Sequence, residues 1–284
     1  MSDAEITVVD AVMGTGKSTW AIEEINSSDT KRFVVVLPRV SEITRFKEAV
    51  SRSSVVALDD ALPGSKQTRF EKALEDSEVI LISHSLFESY LKPHVFELLE
   101  QGDWHLVVDE TTCVFEPING LSKTMLGGWK AYGIVDLERV NSRLTKIVPV
   151  IIMTELYTKL NNFHISKSER EILKKTLYRE VYMIEDDSQR GFFSFTLKAN
   201  RLKPFKSVAV LTYMFADSPM EYWCTINRVP VQHMELLGNG ELQPHDRQYS
   251  GKQFADLIEV LEPKSKYGSK PNHFSATSSR GLLK

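Results

Sequence analysis

The chain opens on an apolar run, Ile6-Thr7-Val8-Val9, which leads into a glycine-rich stretch and then into Ser18 to Ile25, with helical spacing. Comparable runs recur at Phe33-Val34-Val35-Val36-Leu37 (closed by Pro38), Val55-Val56-Ala57, Val79-Ile80-Leu81-Ile82 and Leu106-Val107-Val108. Continuous β-branched runs predict strands buried on both faces, as in a parallel sheet. Amphipathic stretches lie between them. Ser41 to Val50 sets Ile43, Phe46 and Val50 on one face, Gln67 to Leu74 has helical spacing, and Leu86 to Glu100 predicts one amphipathic helix. Strands alternating with helices call for an α/β fold with right-handed crossovers.

The rhythm breaks after Glu110. Residues 111–205 hold a Gly127-Gly128 pair, an apolar Val148 to Met153, a charged and helical Ser166 to Glu180, and Phe192 to Leu197 as an edge strand. The expectation is a mostly helical insertion between two core strands. Core patterning returns at Val208 to Phe215. Ser218 and Pro219 then have the form of an N-cap and first helical position, opening a helix over Met220 to Ile226. Val229 to Leu237 has strand character. The predicted division is therefore 1–226 as one domain carrying the insertion, and 227–284 as the start of a second domain or a C-terminal extension. The tail from about 263 is rich in Lys, Ser and Gly, contains no acid, and is expected to be flexible.

The chemistry concentrates in residues 11–18, Ala-Val-Met-Gly-Thr-Gly-Lys-Ser, which fit the phosphate-binding loop pattern with Ala11 at its usual first glycine. Gly14 and Gly16 let the backbone curl so that N–H groups point at phosphate oxygens. Lys17 can reach the β- and γ-phosphates, and Ser18 can set its hydroxyl on magnesium. The candidate nucleotide-binding set is Met13, Gly14, Thr15, Gly16, Lys17, Ser18 and Thr19. A glycine-rich turn that binds nothing is the plain alternative. The succession of strand, loop, Gly-Lys-Ser and helix argues against it, because a helix N-terminus following such a strand favours an anion.

A phosphate loop needs an acidic partner. Asp109 and Glu110 follow an apolar strand, at the end where open α/β sheets bind ligands. Asp109 is the second candidate metal ligand, beside Ser18. Glu110 is the candidate catalytic group that polarises the attacking water, with Lys17 neutralising phosphate charge. That arrangement implies hydrolysis rather than transfer to a bound acceptor.

Composition narrows the partners. The formal net charge is −3 and the pI about 6.2, so any nucleic-acid binding must use a local cleft rather than a global basic field. Cys113 and Cys224 give neither a disulfide framework nor zinc-ligand spacing, and reduced thiols in the cytoplasm are expected. No apolar run approaches a membrane span, and Met-Ser-Asp-Ala-Glu is not a signal peptide.

Taken in order, the motifs resemble the N-terminal part of superfamily 2 helicases, in particular the DEAD/DEAH-like helicases of bacteriophages. The phosphate loop matches their Ala-x-Met-Gly-Thr-Gly-Lys-Ser/Thr form. Phe33 to Arg39, Ser83-His84-Ser85-Leu86-Phe87, Asp109-Glu110-Thr111-Thr112 and Leu211-Thr212-Tyr213-Met214-Phe215 resemble their successive motifs. The resemblance covers roughly residues 6–226, in islands. It implies a RecA-like P-loop NTPase domain with a parallel central sheet flanked by helices, ATP and Mg2+ as cofactors, and DNA, single-stranded or forked, as partner in phage replication or recombination. It places the host cytoplasm as the setting. It also implies nucleic-acid or coupling roles for Arg39, Ser41, His84, Thr212 and Tyr213. For each of these a structural role stays open: a solvated loop for Arg39 and Ser41, a satisfied strand-end histidine for His84, a polar strand cap for Thr212 and Tyr213.

Family members carry a second RecA-like domain that supplies arginines. The segment after Ile226 is too short for one, so a truncated chain or another subunit, such as a replication protein, would have to provide the arginine. Three other functions compete with the helicase-type ATPase: a packaging-motor ATPase, a small-molecule kinase, and a nucleotide-dependent DNA-binding accessory module that hydrolyses weakly.

Overall fold

The computed structural model describes residues 5–58, 65–89, 93–150, 166–176, 178–185 and 191–245. All fall in the first of two compact units, which ends at Arg247. The tail expected to be flexible from about 263 lies outside the described residues.

The apolar runs become the strands of an eight-stranded sheet: β1 (Ile6–Asp10), β2 (Arg32–Leu37), β3 (Val55–Ala57), β4 (Val79–Ser83), β5 (Trp104–Asp109), β11 (Ser207–Thr212), β12 (Val231–Leu236) and β13 (Leu242–Pro244). Their order is β13-β12-β1-β11-β5-β2-β4-β3, and every pairing is parallel except β12 with β13. The molecule is a mixed α/β protein with a mostly parallel central sheet, as the runs predict. Alternate residues feed opposite faces. Val34, Val36, Ile80, Ile82, Leu106 and Val108 pack on one side with Phe70, Leu99 and Trp223, and Phe33, Val35, Leu37, Leu81 and Val107 pack on the other with Ile25, Ile43 and Phe46. Residues buried on both faces have no polar alternation to show, which is why these strands read as unbroken apolar runs.

The helices cover these faces. They are α1 (Lys17–Ser27), α2 (Val40–Ala49), α3 (Lys66–Asp76), α4 (His84–Ser89) and α5 (Pro93–Gln101). The helix expected over Leu86 to Glu100 is seen as α4 and α5, and residues 90–92 between them lie outside the described residues. After β11, Ser218 caps the helix Pro219–Asn227 by accepting the Glu221 N–H at 3.2 Å, as expected. Beyond that helix, β12 pairs in parallel with β1, Ile6 opposite Val231, and β13 follows.

The insertion is the main correction. The mostly helical character expected of residues 111–205 is overturned by a five-stranded antiparallel sheet, in the order β6 (Phe115–Pro117), β10 (Phe192–Leu197), β9 (Arg179–Ile184), β8 (Leu144–Pro149), β7 (Val135–Arg139). Two described helices, α6 (Lys123–Ala131) and Lys167–Thr176, accompany it. Phe192–Leu197 is therefore interior, between β6 and β9, and not an edge strand. The helical pattern of Ser166 to Glu180 stops at Thr176, because Arg179 and Glu180 already belong to β9. Val148 and Pro149 end β8, and Ile151 to Met153 lie outside the described residues. Apart from β10, buried throughout residues 193–197, these strands bury one face only. Val135, Ile147, Val181, Met183, Phe193 and Phe195 form a separate core with Trp129 and Leu173, while Lys146, Glu180 and Tyr182 project from the other side.

Candidate functional site

Six residues separate β1 from α1, and two of them hold the backbone in the left-handed region: Gly14 at φ +82 and Gly16 at φ +91. A side chain there would strain the loop whatever space lay beside it. Thr15 closes the turn by donating its hydroxyl to the Val12 carbonyl at 2.7 Å. Gly16 is the helix N-cap, with no side-chain cap and no acid in the first turn, so the N–H groups of the first turn face outward without a competing carboxylate. The Lys17 ammonium donates to the carbonyls of Ala11 and of Val12, the latter at 3.0 Å. Burial pushes its pKa below the ordinary lysine value, against the opposing pull of Asp109, Asp10 and Glu110.

The acidic pair stands directly opposite. Ser18, in the first turn of α1, donates its hydroxyl to Asp109 Oδ2 at 3.1 Å, joining residues 91 positions apart. Asp109 is buried, and burial raises its pKa; the Ser18 hydrogen bond opposes that rise and the Glu110 charge adds to it. Glu110 is exposed and takes φ +66, a left-handed conformation that costs a non-glycine residue energy. Its N–H is held by the Leu211 carbonyl at 2.9 Å. Behind the pair, His84 Nε2 lies 2.8 Å from the Asp109 carbonyl. A carbonyl only accepts, so that nitrogen carries the proton.

β11 lies between β1 and β5 and brings Thr212 and Tyr213 to the same end of the sheet. Ala11 N–H donates to the Thr212 carbonyl at 3.1 Å, so the loop and this strand end are joined through the backbone. A cleft of about 550 Å³ results. Met13, Gly14, Lys17 and Ser18 line one wall, and Asp109, Glu110 and Thr111 the floor. Arg39 and Glu42 stand on one side, Thr212 and Tyr213 on the other. The oxygens of Ser18 and Asp109 suit a hard cation that keeps most of its shell for water and phosphate. Among the described residues no cluster of three or more His, Cys, Asp or Glu is placed to hold a metal by itself.

The structure thus gathers most of the sequence-selected residues around one cleft. Thr15, Gly16, Thr19, Ser41 and His84 do not line it. Ser41 is exposed on the first turn of α2, and His84 faces the Asp109 backbone. Glu42 and Asp10 escaped the sequence reading. Asp10 is buried at the end of β1, and its two oxygens accept the N–H groups of Met214 and Phe215 at 2.9 and 2.8 Å. The signal that could have found it is the cost of ending an apolar strand on a carboxylate, which demands partners nearby.

No protein-family model matches the chain. In sequence it is 26% identical over 253 residues to the SPbeta prophage-derived uncharacterized protein YonV of Bacillus subtilis (strain 168). That match spans 86% of this chain and 58% of YonV, less than two thirds of the relative. Among solved structures it is similar to an apo XPD, with a TM-score of 0.41 and 12% identity over 82% of this chain and 55% of that one. It is also similar to the DUF1998 helicase MrfA bound to DNA, with a TM-score of 0.35 and 10% identity over 83% and 25% of the two chains. S. tokodaii Xpd4 gives 0.35 and 12% over 74% and 53%. Likeness at this level is partial and assigns no residue a role.

Proposed function

We propose that the chain is an ATP-hydrolysing motor domain of the superfamily 2 helicase type, RecA-like in its core, stimulated by DNA and acting in phage replication or recombination. One observation carries the reading: the Ser18 hydroxyl and the Asp109 carboxylate meet at 3.1 Å, with Lys17 and Glu110 on the same cleft. This is the geometry that a phosphate loop and an acidic strand end need if they are to share one metal-bound triphosphate. The prophage origin of YonV fits the proposed setting.

The proposed chemistry follows from the residues. The phosphates lie against the N–H groups of Met13 to Ser18, and Lys17 leaves its carbonyl partners to meet the β- and γ-phosphates. Ser18 and Asp109 would hold magnesium, whose charge would offset that of the phosphates. Glu110 orients a water and accepts its proton as the oxygen attacks the γ-phosphorus in line, and ADP leaves with the bridging electron pair. Arg39, Thr212 and Tyr213, which line the same cleft, would register the γ-phosphate and relay its presence to a bound strand. An arginine from a further domain or subunit completes the site.

ATP hydrolysis with magnesium, with and without single-stranded DNA, tests the reading. Lys17→Ala and Glu110→Gln should each lower turnover by at least about a hundred-fold, the size of effect when one transition-state interaction or one general base is removed. Turnover that survives Lys17→Ala would refute it. Tight ATP binding without turnover in the unaltered chain would favour the accessory module instead.

A further inference from the structure

A buried ion pair joins the insertion to the segment carrying the acidic pair. His84 and Glu88 sit one turn apart on α4 and face the same stretch of backbone. His84 Nε2 donates to the Asp109 carbonyl at 2.8 Å. Glu88 Oε1 accepts the Cys113 N–H at 2.8 Å. The two contacts bracket Glu110, Thr111 and Thr112. The other oxygen of Glu88 accepts from Arg179 Nη2 at 2.9 Å, and Arg179 Nη1 donates to the Cys113 carbonyl at 3.1 Å. The Cys113 residue is therefore gripped at its N–H by α4 and at its carbonyl by β9 of the insertion sheet. The side chains of Arg179 and Glu88 are only 2% and 11% exposed. Arg201 adds a second tie, from the Phe87 carbonyl on α4 to the Tyr178 carbonyl beside β9.

Stability alone gives little reason for this arrangement, since a well-packed apolar pair of similar volume is commonly as stable as a buried ion pair. What the guanidinium supplies is geometry. Its planar fork fixes the direction of both bonds at once, which a lysine or an apolar side chain does not do.

We propose that Arg179 is a positioning residue for the Asp109–Glu110 segment, acting through Glu88, so that the insertion sheet sets where the two carboxylates stand over the cleft. The consequence for turnover rests on the ATPase reading; the tether itself does not.

The test uses the full chain and two readouts. Arg179→Lys keeps the charge and removes the fork; the pair Glu88→Gln/Arg179→Met removes both charges and guards against a variant that fails to fold. Hydrogen exchange of the Glu110 to Val114 amides should rise at least ten-fold in both, while that of Gly14 to Thr19 stays within two-fold. The kcat for ATP should fall ten-fold or more with KM within two-fold. Exchange that rises only within β9 would overturn the tether. Faster exchange at Glu110 to Val114 with kcat unchanged would overturn the positioning role. If the unaltered chain hydrolyses ATP no faster than Lys17→Ala, it is the ATPase reading that falls, and the exchange readout still decides whether Arg179 holds the segment.

Discussion

The carboxylate of Asp10 accepts the backbone N–H of Phe215 at 2.8 Å, and its second oxygen accepts that of Met214 at 2.9 Å. Asp10 is the last residue of β1, immediately before the glycine-rich loop, and Met214 lies in the left-handed region at φ +58. One buried side chain thus fixes the turn after Thr212 and Tyr213 to the base of the loop. Asp10→Ala would leave two backbone donors facing a carboxyl-sized gap. It should cost about 2–3 kcal/mol of stability, with Asp10→Asn intermediate because its amide keeps one acceptor. Urea denaturation measures the loss. Under the proposed coupling role of Thr212 and Tyr213, DNA stimulation of hydrolysis should fall further than basal hydrolysis, because Asp10 ties the loop to the turn that follows them.

Ser18→Ala removes the hydroxyl that donates to Asp109. The carboxylate then loses the hydrogen bond that, with the weaker pull of the Arg45 charge, opposes the rise of its pKa on burial. The magnesium concentration for half-maximal hydrolysis should rise by about ten-fold or more, comparable to losing even an outer partner of a metal site. Ser18→Thr, which keeps the hydroxyl, should stay near the unaltered chain. A magnesium titration of initial rates separates the two.

The parallel core was legible because β2 and β4 are apolar on both faces over Phe33 to Leu37 and Val79 to Ile82, as strands covered on both sides of a parallel sheet are. The insertion was not, because β9 buries Val181 and Met183 while turning Glu180 and Tyr182 outward, and its first residues continue a charged helical pattern without a break. The loop and acidic pair announced themselves by residue type and order. Their mutual placement could only be assumed from the pattern. Asp10 gave only the signal of a carboxylate closing an apolar strand, and Glu88 and Arg179 gave no local signal. Each is explained by a partner far along the chain: Phe215 for Asp10, and residues 91 apart for the Glu88–Arg179 bridge.

His233 on β12 packs edge-on against Phe215, ring centroids 5.5 Å apart, and its Nδ1 is buried without a hydrogen-bond partner among the described residues. Burial lowers its pKa below the usual 6.5, against an opposing pull from Asp10. A depressed value means that the unfolded chain binds the proton more tightly than the folded one. The stability it contributes is present above the unfolded pKa and is lost as pH falls through the folded one. Urea midpoints should therefore fall as pH drops below about 6.5. His233→Leu should lessen that fall, and the difference between the two curves isolates this group from His105, which burial shifts in the same direction.

Glu110 holds φ +66 at the end of β5, with its N–H pinned to the Leu211 carbonyl and its carboxylate exposed at the cleft. A left-handed conformation costs a side-chain-bearing residue about 1–2 kcal/mol. Glycine escapes that cost but adds about 0.4–1 kcal/mol of unfolded-chain freedom. Glu110→Gly should therefore raise stability by about 0.5–1 kcal/mol while lowering hydrolysis by at least about a hundred-fold, and Glu110→Gln should lower it as far with stability unchanged. The pair separates backbone strain from carboxylate chemistry at one position. If Glu110→Gly is no more stable in urea than Glu110→Gln, the left-handed geometry is not strained, and the carboxylate is held over the cleft by the surrounding bonds at no cost to the fold.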